Sequence, residues 1–109
     1  MQNSSDKYFK EEQTMKYNLY TIFDKTAQLH GQVMQFVNDE VAKRSLIPVL
    51  KNMEHPYAQM PSHYTLILIG EYDDETGYIL PEIDEKNGDL ISTNEIVIEL
   101  SELLGEAAL

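Results

Sequence analysis

The sequence predicts a small α+β domain, with an antiparallel sheet in the order β-α-β-β followed by a C-terminal helix. Residues 16–24 and 64–73 are rich in aromatic and β-branched residues and alternate as strands do. Residues 38–53 and 96–104 place apolar side chains at helical spacing. A chain of 109 residues suffices for one core, so we expect one domain over residues 15–109 after a disordered polar extension, residues 1–14.

The first predicted strand, "KYNLYTIFD" at residues 16–24, carries apolar groups on both faces. Such a strand lies at the centre of a sheet, or one of its faces is covered by a helix or by a partner. We therefore expect a homodimer that pairs its sheets or extends them across an edge. Residues 25–36 follow as a long connection, with a helical turn over residues 25–29 that is interrupted at Gly31.

The predicted helix begins at Asn38 and runs to Met53. Asn38 is a good N-cap, and Asp39 and Glu40 follow in the first turn, where the helix dipole favours anions. Pro48 removes one backbone donor and clashes with the preceding turn, so we expect a kink or a break there.

The second half of the chain predicts a hairpin and a final helix. Residues 64–73 form the clearest strand and residues 77–83 its partner, with Pro81 indicating an edge. Residues 92–105 are ambiguous, because Ile96 and Ile98 alternate as in a strand. We favour a helix, since Ser92 and Glu95 have capping-box spacing and Gly105 fits a C-terminal cap.

The stretch "IGEYDDETGYI", residues 69–79, raises the question of a metal loop, an acid/base site or a plain turn. It carries four carboxylates, on Glu71, Asp73, Asp74 and Glu75. An EF-hand loop with Gly77 as its sixth residue would need acids where Tyr72 and Thr76 stand. We therefore predict a tight turn in which Gly77 supplies a positive φ angle, with a weak cation site as the alternative.

The net charge of −11 lies entirely in the last third of the chain. Residues 1–70 contain seven acids and seven bases, whereas residues 71–109 contain twelve acids and one base. This third should repel nucleic acid and anionic lipid. The negative charge either keeps the protein soluble or forms a surface that mimics nucleic-acid charge towards a basic partner. The residues of this surface would be Glu71, Asp73, Asp74, Glu75, Glu82, Asp84 and Glu85.

A modest basic patch is predicted in the front half of the chain. Its members are Lys25, Lys43, Arg44 and Lys51, beside Tyr20, whose ring would stack on an unpaired base. The alternative is an ordinary polar helix face and a core tyrosine. In the binding interpretation, the acidic C-terminal residues tune the patch by competing for the same basic surface.

The sequence contains no recognisable catalytic motif and no apolar segment long enough to span a membrane. There is no cysteine, the three histidines are isolated, and no glycine-rich phosphate loop occurs. The longest apolar run, "LILI", is too short to cross a bilayer, and residues 1–14 lack a signal-peptide core. We expect a soluble intracellular protein that is not an enzyme and has no cofactor, metal site or membrane contact.

Three stretches resemble the small non-structural protein of gokushoviruses, which are single-stranded DNA phages of the microvirus group. They are "LYTIFDKTAQ" at residues 19–28, "VNDEVAKRSL" at residues 37–46 and "PSHYTLILIGEYDDETGYI" at residues 61–79. The last is the most specific. Relatives tend to begin with Met-Lys just before the first strand, which makes Met15 an equivalent start. The acidic end and the N-terminal extension are not clearly part of the pattern.

The resemblance implies a virus-encoded, non-capsid protein without a catalytic motif, acting in the host cell cytoplasm when single-stranded genomes are made or packaged. Two functions follow as hypotheses. The first is an accessory protein that binds single-stranded DNA or phage replication and packaging proteins. The second is an acidic adaptor or inhibitor that binds a basic host protein.

Overall fold

The structure is a computed structural model that describes residues 16–80 and 94–108. Within them, six strands form one antiparallel sheet: β1 (Lys16–Asp24), β2 (Leu29–His30), β3 (Met34–Phe36), β4 (Tyr64–Asp73), β5 (Ile79–Leu80) and β6 (Glu95–Glu99). The helices are α1 (Asp39–Leu50), α2 (Pro56–Gln59) and α3 (Leu100–Ala108), with a 3-10 turn at Pro61–His63. The predicted α+β class, with an antiparallel sheet and a C-terminal helix, is confirmed.

The long strands β1 and β4 form the central pair of the sheet, and both have the predicted bounds. β2 and β3 share the outer edge of β1, while β5 and β6 share the outer edge of β4. The register of the central pair shifts between Leu19 and Tyr20, next to the buried Gly70. A bulge of this kind increases the local twist of the strands.

The predicted helical turn over residues 25–29 is present only as a single turn over residues 25–28, in which the N–H of Gln28 donates to the carbonyl of Asp24 at 2.7 Å, and Leu29 already lies in β2. Oδ1 of Asp24 accepts hydrogen bonds from the backbone N–H groups of Thr26 and Ala27, at 2.9 and 3.1 Å, which closes a tight turn. Gln28 then adopts a left-handed φ of 58°, which ends helical geometry. The chain returns along β1 as β2 and β3, because the edge of β1 offers unpaired backbone groups.

The helix favoured for residues 92–105 is wrong over residues 95–99, which form β6. Glu95 lies in β6 and so cannot close a capping box, and α3 begins only at Leu100. β6 forms because Ile96 and Ile98 find partners on the open edge of β4. Gly105 is not a C-terminal cap, since α3 continues through it to Ala108.

Two further predictions meet the structure only in part. The hairpin partner of β4 is present as β5, whereas residues 81–83, with Pro81, lie outside the described residues. So do the extension at residues 1–14 and the acids Glu82, Asp84 and Glu85.

Helix α1 is capped as predicted. Asn38 Oδ1 accepts the backbone N–H of Val41 at 2.9 Å, which satisfies one of the free donors of the first turn. Pro48 lies in the last turn, and the helix ends at Leu50 rather than Met53. Proline there removes one hydrogen bond of the helix and its ring crowds the carbonyl one turn back, which fits an end of the helix two residues later.

The core lies between one face of the sheet and the helices α1 and α3. The sheet contributes Tyr20, Ile22, Leu66 and Ile98, α1 contributes Ala42, Leu46 and Leu50, and α3 contributes Leu100 and Leu103. The acidic C-terminal third is therefore not only a tail, because its β6 and α3 supply part of the core.

Candidate functional site

The acidic turn after β4 is built by the residues that the sequence indicated. Oδ1 of Asp73 accepts the backbone N–H groups of Glu75 and Thr76, at 2.9 and 3.4 Å. The N–H of Gly77 donates to the carbonyl of Asp73 at 2.8 Å, and Gly77 has a φ of +79°. The turn prediction is confirmed, and the exposed carboxylates of Asp74 and Glu75 lie at its tip.

The remaining acid of this stretch is partly neutralised. Glu71 lies on β4 opposite Asn18 of β1, and Lys16 Nζ is 3.9 Å from its Oε1. Within residues 16–80 and 94–108, no three histidine, aspartate or glutamate side chains are grouped as metal ligands. The turn therefore presents the exposed carboxylates of Asp74 and Glu75. The carboxylate of Asp73 lies beside them and accepts the hydrogen bonds that hold the turn.

Lys25 contacts β6, and so it is separated from the predicted bases on α1, Lys43 and Arg44. Its Nζ donates to Oε1 of Glu99, whose other oxygen accepts the hydroxyl of the buried Thr65 at 3.0 Å. The hydrogen bond from Lys25 is the main cause that lowers the pKa of Glu99, against a smaller effect of burial. This cation is thus already paired with an anion.

The structure brings Lys43 and Arg44 together at a cleft between α1 and α3. Lys43 is also paired, with Glu40 at 3.5 Å, and its side chain is only 22% exposed. The cleft, of about 200 Å³, is lined by both bases and by the acids Glu40 and Glu106. Two positive and two negative groups leave it without a basic character. Lys51 is exposed and stands at the C-terminal cap of α1.

Tyr20 does not offer a stacking surface, which corrects its predicted role. Its side chain has no exposed area, because α1 and β3 pack over it. Its hydroxyl donates to Oδ1 of Asp39 at 2.6 Å and accepts a hydrogen bond from Asn18 at 3.0 Å. Burial, followed by the bond to Asp39, raises the pKa of this hydroxyl far above its usual range. Tyr20 is a core residue with a buried polar anchor.

The sequence interpretation missed an aromatic cleft, which lies where the turn after β1 meets α2. The rings of His55 and Tyr57 are 4.5 Å apart, and those of Tyr57 and Tyr64 are 4.7 Å apart. Asp24 and His30 line the same cleft, whose volume is about 390 Å³. The one local signal was "EHPY", in which proline at the start of a short helix follows a histidine cap.

A second, smaller hollow lies on the face of the sheet opposite to the core. Phe23, Ile67 and Ile96 line it, with His30 and Asn94, and enclose about 280 Å³. Strand alternation places Phe23 and Ile67 on the other side from Ile22 and Leu66. Ile96 joins them, although Ile98 lies in the core, because the register between β4 and β6 shifts between Leu66 and Ile67. Ile96 is 65% exposed, which is unusual for an isoleucine in a sheet.

Comparison with known families adds the identity of the chain. The helices in residues 16–80 and 94–108 include no candidate for a membrane-spanning segment. Comparisons with curated proteins and with solved structures give no match. The model of a family described as "Phage ORF5 protein" matches residues 17–102, a span that begins in β1 and ends in α3. The chain therefore belongs to the Phage ORF5 protein family.

Proposed function

We propose that this phage protein is the small non-structural protein of a gokushovirus-type microvirus, and that it is a non-catalytic accessory protein in single-stranded genome synthesis or packaging. In this proposal it acts in the host cytoplasm by binding a basic protein through its acidic surface. The observation that carries the choice of a protein over DNA is the distribution of charge on the folded domain.

The described residues contain five bases and twelve acids, a net charge of −7. Three of the five bases, Lys16, Lys25 and Lys43, are within ion-pair distance of a glutamate. The positive charge is thus largely neutralised locally. The side chains of Asp74 and Glu75 are exposed at the turn. A surface of this sign attracts a basic protein and repels phosphate.

Direct binding of single-stranded DNA is the second candidate, and the exposed bases Arg44 and Lys51 favour it. Neither has a carboxylate within ion-pair distance among the described residues. Two such contacts give a salt slope of only about −1.4, because each phosphate contact contributes about −0.7 on a single strand. The interaction would be weak.

The residues that carry the gokushovirus resemblance mostly have structural roles. Asn38 caps α1, Asp39 accepts the Tyr20 hydroxyl, and Ala42 is fully buried against the sheet. Asp73 and Gly77 close the acidic turn. The resemblance therefore supports a fold shared with the gokushovirus proteins. The argument for a particular partner rests on the surface charges instead.

Affinity capture from phage-infected cells tests the proposal. The double variant Asp74→Asn with Glu75→Gln removes the two charges at the tip, and leaves the hydrogen bonds of Asp73 in place. The matched control, Glu54→Gln with Glu102→Gln, removes two exposed charges elsewhere. We expect the wild type and the control to capture basic phage replication or packaging proteins. The variant with Asp74→Asn and Glu75→Gln should no longer capture them. Equal capture by all three chains would refute a role for the turn.

We also propose a homodimer, in which the hollow at Phe23, Ile67 and Ile96 is covered by a second copy. The exposed apolar surface of Ile96 supports this arrangement. Sedimentation equilibrium of the full chain should give a dimer, and Ile96→Lys should give a monomer with an unchanged circular dichroism spectrum. A wild-type monomer at high micromolar concentration would contradict the proposal.

A further inference from the structure

The aromatic cleft combines four rings, those of His30, His55, Tyr57 and Tyr64, with the carboxylate of Asp24. Tyr57 and Tyr64 pack with centroids 4.7 Å apart and an interplanar angle of 55°, so part of their surface is turned away from each other. His55 is held beside them because its Nδ1 accepts the backbone N–H of Tyr57 at 3.1 Å. These side chains are only half-buried, which leaves ring surface towards the cleft.

The charge of the cleft is set by Asp24. The hydrogen bonds of its carboxylate to described residues are both made by Oδ1, which accepts the N–H groups of Thr26 and Ala27. The second oxygen remains an acceptor for a ligand. Among the described lining residues there is no lysine or arginine. Asp24 is close enough to Tyr57 that its charge contributes, after burial and the effect of Tyr64, to a raised pKa of the phenol.

Aromatic faces beside a carboxylate are complementary to an organic cation. Arginine fits better than lysine, because its planar guanidinium stacks on rings and donates a forked pair of hydrogen bonds to a carboxylate. A nucleobase would also stack on the rings, but its phosphates would meet the Asp24 carboxylate and no lining cation.

We propose that this cleft binds an arginine side chain of the basic partner protein. The guanidinium stacks on the exposed ring surface of Tyr57 and Tyr64 on one side and donates hydrogen bonds to the carboxylate of Asp24 on the other. The inference rests on the proposed function for the source of the arginine, although the chemistry of the cleft is independent of it. The acidic turn attracts the partner over a longer range, and the cleft selects arginine at short range.

The test is an NMR titration of the full chain with a capped Gly-Arg-Gly peptide, following the ring protons of Tyr57 and Tyr64. The same peptide with lysine, or with neutral citrulline, measures selectivity. We expect saturable shifts at both rings with arginine, about tenfold weaker binding with citrulline, and an intermediate affinity with lysine. Equal affinities for arginine and citrulline would overturn the proposal.

Asp24→Asn is the decisive variant, because an asparagine oxygen can still accept the two N–H groups that hold the turn. We expect it to weaken arginine binding about tenfold, whereas the matched change Asp74→Asn should leave it within about twofold. Tyr57→Leu should abolish the shifts at Tyr64, with backbone amide spectra checking the fold. Equal effects of Asp24→Asn and Asp74→Asn would refute the site.

Thymidine monophosphate serves as the competing probe, and saturation of the cleft by it in preference to arginine would overturn the assignment in favour of a nucleobase. The titrations contain no partner protein, so their failure is distinguishable from that of the proposed function. If the variant with Asp74→Asn and Glu75→Gln loses the captured partners but the titration shows no arginine binding, only the proposed arginine site is rejected. Arginine binding without captured partners would reject only the function.

Discussion

The hydroxyl of Tyr20 donates a 2.6 Å hydrogen bond to the carboxylate of Asp39, and this bond joins the buried centre of β1 to the first turn of α1. The residue after the N-cap is thereby an anchor between sheet and helix. The negative charge of Asp39 also lies in the first turn, where the helix dipole stabilises it. One carboxylate thus supports both the start of α1 and its position on the sheet.

Tyr20→Phe should lower the free energy of unfolding by about 1.5–3 kcal/mol, since a hydrogen bond to a charged group is lost and both Asp39 and Asn18 lose a partner. Urea denaturation measures this change. Tyr78→Phe removes a hydroxyl from a residue that is 67% exposed and serves as the control. A change below about 0.5 kcal/mol in Tyr20→Phe would show that the bond adds little.

The same substitution at two glycines should have opposite effects. Gly77 has a φ of +79°, so Gly77→Ala should destabilise by about 1 kcal/mol or more although nothing crowds the added methyl. Gly105 is exposed within α3, with open space around it, so Gly105→Ala should stabilise by about 0.5–1 kcal/mol. Thermal unfolding of both variants checks the signs, and a shift in the same direction for both would contradict the turn or the helix.

Acid should weaken the contact between Lys25 and Glu99. The pKa of Glu99 is lowered in the folded protein, chiefly by the hydrogen bond from Lys25. Its contribution is therefore fully present above the ordinary glutamate pKa of about 4.3, and is lost as pH falls through the lowered value. The contribution should be below about 1 kcal/mol, because the Lys25 side chain is 43% exposed.

Unfolding free energies of the wild type and of Glu99→Gln should thus differ at neutral pH and converge in acid. Lys25→Gln removes the same ion pair from the other side and should converge with the wild type in the same pH range. A difference from the wild type that stays constant down to acid pH in both variants would show that the ion pair does not determine this titration.

The sequence predicted the elements whose signals are local. The long alternation of β1 and β4, the side-chain cap of Asn38 and the glycine of the acidic turn each act within a few residues. β2 and β3 span two and three residues, and they exist because the edge of β1 provides their partners. The choice of strand over helix at Ile96 likewise depends on the edge of β4, which is distant in sequence.

The candidate site was less predictable for the same reason. Tyr20 lies on a strand with apolar residues on both faces, and only packing by α1 decides that its ring is buried. The aromatic cleft joins Asp24, Tyr57 and Tyr64, which come from three separate segments. The pairing of Lys25 with Glu99 spans 74 positions in sequence. Local patterns cannot show such neighbours.

The most direct measurement of the central claim is fluorescence anisotropy of the full chain with two labelled probes across a salt series. One is an arginine-rich peptide, and the other is a single-stranded oligonucleotide. The account predicts salt-sensitive binding of the peptide, and DNA binding that is absent or has a salt slope no steeper than about −1.4. Steep, salt-sensitive binding of the oligonucleotide without binding of the peptide would contradict it.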